Sequence, residues 1–390
     1  MFWYALTAEF GCFRGVASCD GVRPKPNSKE EKGEMKITVL GGGGNAQTMA
    51  AEFALAGFSV NLCDLPRFSK KIEHVMKTGE IEKVGSVGTV SHTGRAKLNK
   101  VTIDVREGIK GVDIIVISVP AYEQMEFFEA IHEDLEDNQT IIVIPGNWGA
   151  LRLFNLLRQQ KVKARVRIAE TDRCMFICRA GESWLGAGKA RVILERDNLQ
   201  IAAIPAKDTA WVLDKFKILY PRLFPATCVL ETSLNNSNLV THGPIVMMNT
   251  GWLEHTQGQF MIYRDGGTPS IGRVIDAIAR ERDCVLARFG IKAMPREPFY
   301  DAVKKSQWVH DPCEVGPPSL EHRYITEDIP YGLVPMALLG HLFGISTPVS
   351  DAIVELASTA MNRDFLEEGL TLRELGLEGL KPEEVLKLVT

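Results

Sequence analysis

No stretch of the 390-residue chain approaches the roughly 20 consecutive apolar residues that a membrane-crossing helix requires. The longest apolar runs, Ile114 to Val119 and Thr140 to Pro145, are strand-sized. An excess of charge of one sign is also missing. Forty-five Lys and Arg stand against 49 Asp and Glu, a net charge of −4 without the basic footprint of nucleic-acid binding. The eight cysteines, at positions 12, 19, 63, 174, 178, 228, 284 and 313, include no C-x-x-C pair. That scatter argues against a zinc site or a disulfide framework and for buried, reduced thiols in a cytoplasmic protein, with Cys174 and Cys178 as packing residues. What the chain does have is 45% apolar residues, 34 Gly and 19 Pro, the make-up of a globular protein of about two domains.

Residues 1–34 differ from the rest. They open on the apolar Met1 to Leu6 and end in the polar run Pro24 to Glu34, with no periodicity between. Glu9 interrupts any signal-like apolar core and no Lys or Arg precedes it, so export is not expected. Met35 stands directly before the first strand-like run, Lys36 to Leu40, and is read here as the natural initiator, with residues 1–34 a leader outside the fold.

From Met35 short β-branched runs alternate with helical stretches: Ile37 to Leu40, Ala46 to Ala56, then Ser59 to Cys63. That order implies a parallel sheet with right-handed crossovers. Between the first strand and helix lies Gly41-Gly42-Gly43-Gly44-Asn45-Ala46, a G-x-G-x-x-A pattern. Gly41 permits the tight turn, Gly43 lets the backbone approach a pyrophosphate, and Ala46 allows helix to pack closely on strand, with Gly44 and Asn45 completing a phosphate loop at a helix N-terminus. Asp64 follows Gly41 by 23 residues, the offset of a carboxylate that binds the adenosine ribose. It repels a 2′-phosphate and favours NAD, while Arg67, Lys70 and Lys71 leave NADP open. Val119-Pro120 and the turn Pro145-Gly146-Asn147-Trp148-Gly149 follow two further strands, so they reach the same crevice. Arg165 to Thr171 and Ala190 to Leu194 read as later strands and Asp208 to Leu219 as a helix, which carries this cofactor domain over residues 35–230.

Residues 231–390 change to amphipathic helices. Ile271, Val274, Ile275, Ile278, Val285, Leu286 and Phe289 recur at helical spacing after the start signal Thr268-Pro269. Met336 to Phe343, Val349 to Met361 and Pro382 to Leu388 read as further helices. Two segments are unusually polar: Asn235 to Pro244, which sets Asn238 and His242 one helical turn apart, and His322 to Gly332.

The G-x-G-x-x-A turn, N-x-x-x-H-x-P at 238–244 and R-Y-x-T-E-D-I-P-Y-G at 323–332 together resemble the octopine/nopaline (opine) dehydrogenase family, over residues 35 to about 365. The resemblance implies an N-terminal Rossmann parallel-sheet domain followed by an all-helical domain. It implies NAD or NADP as cofactor, and reductive condensation of an α-keto acid with the amino group of an amino acid. By that resemblance His242 is the catalytic histidine, Asp328 its acidic partner and Asn238 an active-site asparagine. Arg323, Thr241 and Asn147 fall to the substrate. A homodimer is left open. The chemistry is coherent, because hydride delivery needs a proton managed at the neighbouring heteroatom, a carboxylate orients an imidazole, and a guanidinium fork suits a carboxylate. In the bland reading Arg323 pairs with Glu327 along a helix and Asp328 caps one. The alternative activity is an NAD(P)-dependent 2-hydroxyacid or ketopantoate-type carbonyl reductase. Ketopantoate reductase and glycerol-3-phosphate dehydrogenase, which share the two-domain plan, rely on a catalytic lysine in the helical half, and from Ile218 to Ile291 this sequence has none. A non-catalytic dinucleotide sensor is a further alternative.

Overall fold

The structure is a computed structural model that describes residues 35–85, 92–181 and 184–390. The leader expected over residues 1–34 lies outside them. The strands are β1 Lys36–Leu40, β2 Ser59–Cys63, β3 Glu80–Gly85, β4 Gly94–Lys97, β5 Lys100–Thr102 and β6 Ile114–Ile117. They continue with β7 Thr140–Val143, β8 Arg167–Thr171, β9 Phe176–Ala180, β10 Lys189–Glu195, β11 Leu199–Ile204 and β12 Leu223–Pro225. Eight of them form one sheet in the order β12-β11-β8-β7-β6-β1-β2-β5. Its centre reads as near-continuous apolar runs, such as the wholly buried Ile114–Ile117, because helices cover both faces. The order in which strands are added reverses at β1, which lies between its parallel neighbours β2 and β6, and ligands bind at such a switch point.

Two features depart from a purely parallel sheet. β11 runs antiparallel to β8. The strand expected at Ala190 to Leu194 is not in the main sheet at all. As part of β10 it belongs to a second, four-stranded sheet in the order β4-β3-β10-β9, which packs against the helix Gly44–Leu55. After β12 the chain is helical. The amphipathic stripe expected after Thr268 is the helix Pro269–Arg288, with Pro269 in its first turn and Ile271, Ile275, Ile278, Val285 and Leu286 buried. The helices Val334–Leu342, Pro348–Met361 and Pro382–Val389 fall where the spacing predicts them. Among the described residues no helix is long and apolar enough to cross a membrane.

Glu170, at the C-terminal end of β8, ties the halves together. Fully buried, it accepts from the Ala150 N–H at 2.9 Å and from the hydroxyls of Thr232 and Ser233. The latter two lie on Val229–Leu234, the first helix after β12. Gly146 must be glycine here, since a Cβ would stand 2.3 Å from the carboxylate carbon of Glu170. Burial pushes Glu170 up from 4.5 to about 7, against the pull of its three donors. Between pH 4.5 and about 7 the unfolded chain releases this proton and the folded chain keeps it, so this group weakens folding as pH rises through that window. Glu170→Gln carries no such titration, and its own packing cost is the same at every pH. The melting temperature of the variant relative to wild type is therefore expected to climb by a few degrees from pH 5 to pH 8. A difference that stays flat across this range would show that Glu170 is ionised at little cost.

Candidate active site

The turn between β1 and its helix is built by exclusion. Gly41 has φ +114°, and a Cβ there would meet the Ser118 carbonyl oxygen at 2.5 Å. A Cβ on Gly42 would lie 2.3 Å from Asp64 Oδ2, so this glycine, which the G-x-G-x-x-A pattern leaves free, is needed to admit the aspartate. At Gly43 a Cβ would meet nothing within 4 Å, leaving the backbone bare toward the crevice. Ala46 is fully buried between helix and sheet. Gly43, Gly44, Asn45, Asp64, Val119 and Pro120 line one cleft of about 860 Å³, whose other wall includes His322, Arg323, Tyr324 and Glu327 of the helical half.

Asp64 is 1% exposed, and its Oδ1 accepts the Leu65 N–H at 2.9 Å. Oδ2 is buried with no hydrogen-bond partner among the described residues. Burial raises its pKa from 3.8 to about 6, opposed by the Leu65 N–H and Lys71. Two of the three cations that follow it are engaged: Arg67 pairs with Glu126, and Lys71 lies 3.8 Å from Glu123 and over the Phe68 ring. An open glycine turn at a helix N-terminus and an orphaned carboxylate oxygen fit a dinucleotide whose ribose hydroxyls need an acceptor.

The helix Ser237–Met247 starts at Asn236, whose side-chain oxygen caps the Asn238 N–H at 3.0 Å. This helix carries His242, 5% exposed. Across from it the segment 323–332 makes one tight turn and then a wide one, in which the Leu333 N–H reaches back five residues to the Asp328 carbonyl. Such wide turns recur at functional sites. Gly332 allows the approach, since a Cβ there would meet Leu239 Cβ at 2.8 Å. Asp328 Oδ2 thereby comes within 2.6 Å of His242 Nδ1. With Nδ1–H donated to Asp328, Nε2 is left as acceptor, and the Tyr263 hydroxyl lies 2.8 Å from it. Tyr324 stacks on the imidazole at 3.8 Å between centroids, with its hydroxyl 3.4 Å from that of Tyr263. Burial holds both phenols neutral, raising Tyr263 well above 10 and Tyr324 above it as well. His242 therefore sits behind Tyr324 and connects to the cleft wall through two tyrosine hydroxyls. Tyr324 stands in the R-Y-x-T-E-D-I-P-Y-G motif without an assigned role, and Tyr263 stands in no motif.

Glu327 is the other residue that the sequence reading left out of the site. It is 2% exposed, and its Oε1 accepts the Ala121 N–H, at the start of the helix after Val119-Pro120, at 3.0 Å. The Arg323–Glu327 pair of the bland reading exists at 3.6 Å, but inside the cleft instead of on a solvated face. Burial and the neighbouring Asp328 raise Glu327 from 4.5 to about 7, and Arg323 pulls it down. Burial and the adjacent Arg323 and His242 lower His322 to about 4, so it meets the cleft as a neutral ring. Asn147, with φ +47°, accepts from Asn236 Nδ2 and donates to Glu327 Oε1 at 3.3 Å. It thus braces the site from behind the wall. Asn238 and Thr241 are half-buried on the His242 helix, and their side chains make no hydrogen bond to His242 or Asp328. Contrary to the expectation of pure packing, Cys174 and Cys178 line the cleft, and Cys284 is exposed. The one lysine among the described cleft-lining residues, Lys71, stands beside Asp64 at the glycine-turn end.

A dinucleotide-binding sheet facing a helical half that presents a buried histidine–aspartate pair defines a two-domain nicotinamide-type dehydrogenase. The family model described as NAD/NADP octopine/nopaline dehydrogenase, alpha-helical domain, matches residues 225–361. An opine dehydrogenase of Arthrobacter sp. (strain 1C) is 30% identical over 358 residues, spanning 88% of this chain and 95% of the relative. The chain belongs to the opine dehydrogenase family. An opine dehydrogenase of Haliotis discus hannai is 24% identical over 378 residues, 85% of this chain and 92% of the relative. Among solved structures, an octopine dehydrogenase with NADH and L-arginine aligns with a TM-score of 0.68 at 17% identity, covering 90% of this chain and 98% of that one. At that identity it supports the fold.

Proposed function

We propose that this enzyme uses NADH to condense an α-keto acid reductively with the amino group of an amino acid, with residues 35–230 as cofactor domain and residues 231–390 as substrate domain. The observation that carries the reading is one juxtaposition. The segment 322–332 brings Arg323 and Glu327 into the cleft opposite Val119-Pro120 and sets Asp328 on His242. Reduced nicotinamide, when bound, supplies the hydride that turns a C=N bond into a secondary amine.

The chain's own residues bind, orient and move protons. Gly41, Gly43, Gly44, Asn45 and Ala46 shape the pyrophosphate turn, and Asp64 Oδ2 accepts from the ribose. Arg323, 43% exposed along its side chain, offers its fork to a substrate carboxylate. Asp328 fixes the tautomer of His242, so that Nε2 acts as the base end of a relay through Tyr263 and Tyr324 to the substrate oxygen or nitrogen. Asn147 and Asn236 hold the cofactor-domain turn against this machinery, and Asn238 and Thr241 lie beside it on the His242 helix. The free buried thiols Cys63, Cys178 and Cys228 support a cytoplasmic setting.

The test is NADH oxidation with pyruvate and each of the twenty standard L-amino acids, supplied separately and together. Consumption of NADH only when both are present is expected. Turnover with the keto acid alone would point to a carbonyl reductase.

A further inference from the structure

An α-amino acid brings a carboxylate and an amino group on the same carbon, and so far only the carboxylate has a partner. Apart from Asp64 Oδ2 at the glycine-turn end, the cleft holds an unmatched carboxylate oxygen on Glu327. Its Oε1 is filled by the Ala121 N–H and the Asn147 amide, whereas Oε2 is buried with no hydrogen-bond partner among the described residues. An acceptor left open in this way in a carboxylate costs free energy unless a donor arrives. Arg323 does not supply it. Its Nη1 stays 3.6 Å from Oε2, close enough for attraction and too far for a hydrogen bond.

The geometry points to Glu327 Oε2 as the acceptor that holds the amino group of the amino-acid substrate, with Arg323 beside it on the substrate carboxylate. A cation and an open carboxylate 3.6 Å apart on one helical turn match the two charges of an α-amino acid zwitterion. The placement suits the chemistry, because the Glu327 contact with Ala121 puts it next to Val119-Pro120, where the cofactor crevice ends. The other charged and phenolic groups around it leave the role to Glu327. Asp328 is committed to His242, the cleft-lining Glu123 faces Lys71 at 3.8 Å toward the glycine-turn end, and Tyr122 and Tyr331 are neutral phenols raised above their ordinary pKa by burial. The role includes one proton. Glu327 takes it from the ammonium, so the nitrogen pair attacks the keto carbon while the C=O π pair moves to oxygen. A second proton passes from that nitrogen to the oxygen through the Tyr324, Tyr263 and His242 relay, and Glu327 returns the first to the resulting hydroxyl, which departs as water as the nitrogen pair forms the C=N bond. A carboxyl raised to about 7 suits a group that must hold and give back a proton near neutral pH.

This inference rests on the opine reading, and the experiment separates the two. Glu327→Gln keeps an oxygen for the Ala121 N–H and removes the charge. With pyruvate and the best amino acid from the panel above, KM for the amino acid is expected to rise about tenfold. The pyruvate KM and the NADH Kd, read by fluorescence titration, are expected to stay within twofold. An unchanged amino-acid KM, or a parallel loss of all three, would make Glu327 a domain brace only. A second measurement needs no variant. In wild type the carboxylic acid lacking the amino group, such as propionate against L-alanine, is expected to compete at least tenfold more weakly than the amino acid itself. Equal competition overturns the assignment. If wild type turns over the keto acid without any amine, the opine reading fails with it, a result distinct from the other two.

Discussion

His242→Ala is expected to lower kcat by roughly 10²–10⁴-fold, the usual contribution of a positioned acid–base group, while the Kd for NADH stays within twofold. The two effects separate because the imidazole touches nothing in the glycine turn. Its partners are Asp328, Tyr263 and Tyr324, all in the helical half. The alanine variant also strands Asp328, 3% exposed, without its donor, so His242→Asn is the companion that keeps an N–H near the carboxylate. Asp328→Asn tests the orientation argument directly. A carboxamide can donate to Nδ1, which drives the proton to Nε2 and turns Nε2 from acceptor to donor, leaving the Tyr263 hydroxyl to accept. In a catalytic triad such a change costs on the order of 10⁴-fold in kcat with the geometry intact. Steady-state kinetics with fluorescence titration of NADH decide the matter. Retention of more than a tenth of kcat in both His242 variants would remove the histidine from the reaction, and parallel loss of NADH binding would mean that it holds the fold.

The parts of this site that could be read in the sequence are those whose cause is local. Gly41 and Gly43 show in the chain because a strand, a three-residue turn and a helix are contiguous, and Asp64 shows because it directly follows the next strand. His242 and Asp328 were legible only through the family pattern. No property of the chain across the 86-residue separation foretells that a wide turn at Asp328 and a glycine at 332 will bring the pair within 2.6 Å. Glu327 is the instructive miss. Four residues after Arg323, it has the spacing of a solvated helix pair, and only the Ala121 N–H, 206 positions earlier, shows that it is buried at the crevice. The second sheet was hidden for the same reason. β3 pairs in parallel with β10 across more than a hundred residues, and no periodicity within either short strand records its partner.

Asp64→Ala is expected to raise the Kd for NADH roughly 10- to 100-fold, the range of about 1.5–3 kcal/mol for hydrogen bonds to a charged group, and to leave NADPH little changed. The asymmetry follows from the surroundings. Asp64 Oδ2 is the open acceptor that ribose hydroxyls fill, and the same carboxylate repels a 2′-phosphate. Removing it deletes the attraction in one case; in the other it deletes the repulsion together with the carboxylate's hold on the remaining ribose hydroxyl, and the two offset. Arg67 and Lys71 offer a 2′-phosphate only partial compensation, being already drawn to Glu126 and Glu123. The pH dependence carries the same signature. Because burial lifts Asp64 to about 6, the acceptor is ionised above that pH and lost by protonation below it, so wild-type NADH affinity is expected to fall as pH drops from 7 to 5. The alanine variant has no group to protonate there, and its weaker affinity should be flat over the same range. Titrations of both cofactors at pH 5, 6 and 7 read the two effects together. An unchanged ratio of NADH to NADPH affinity, or a pH slope that survives in the variant, would take Asp64 away from the ribose and require another residue to set cofactor choice.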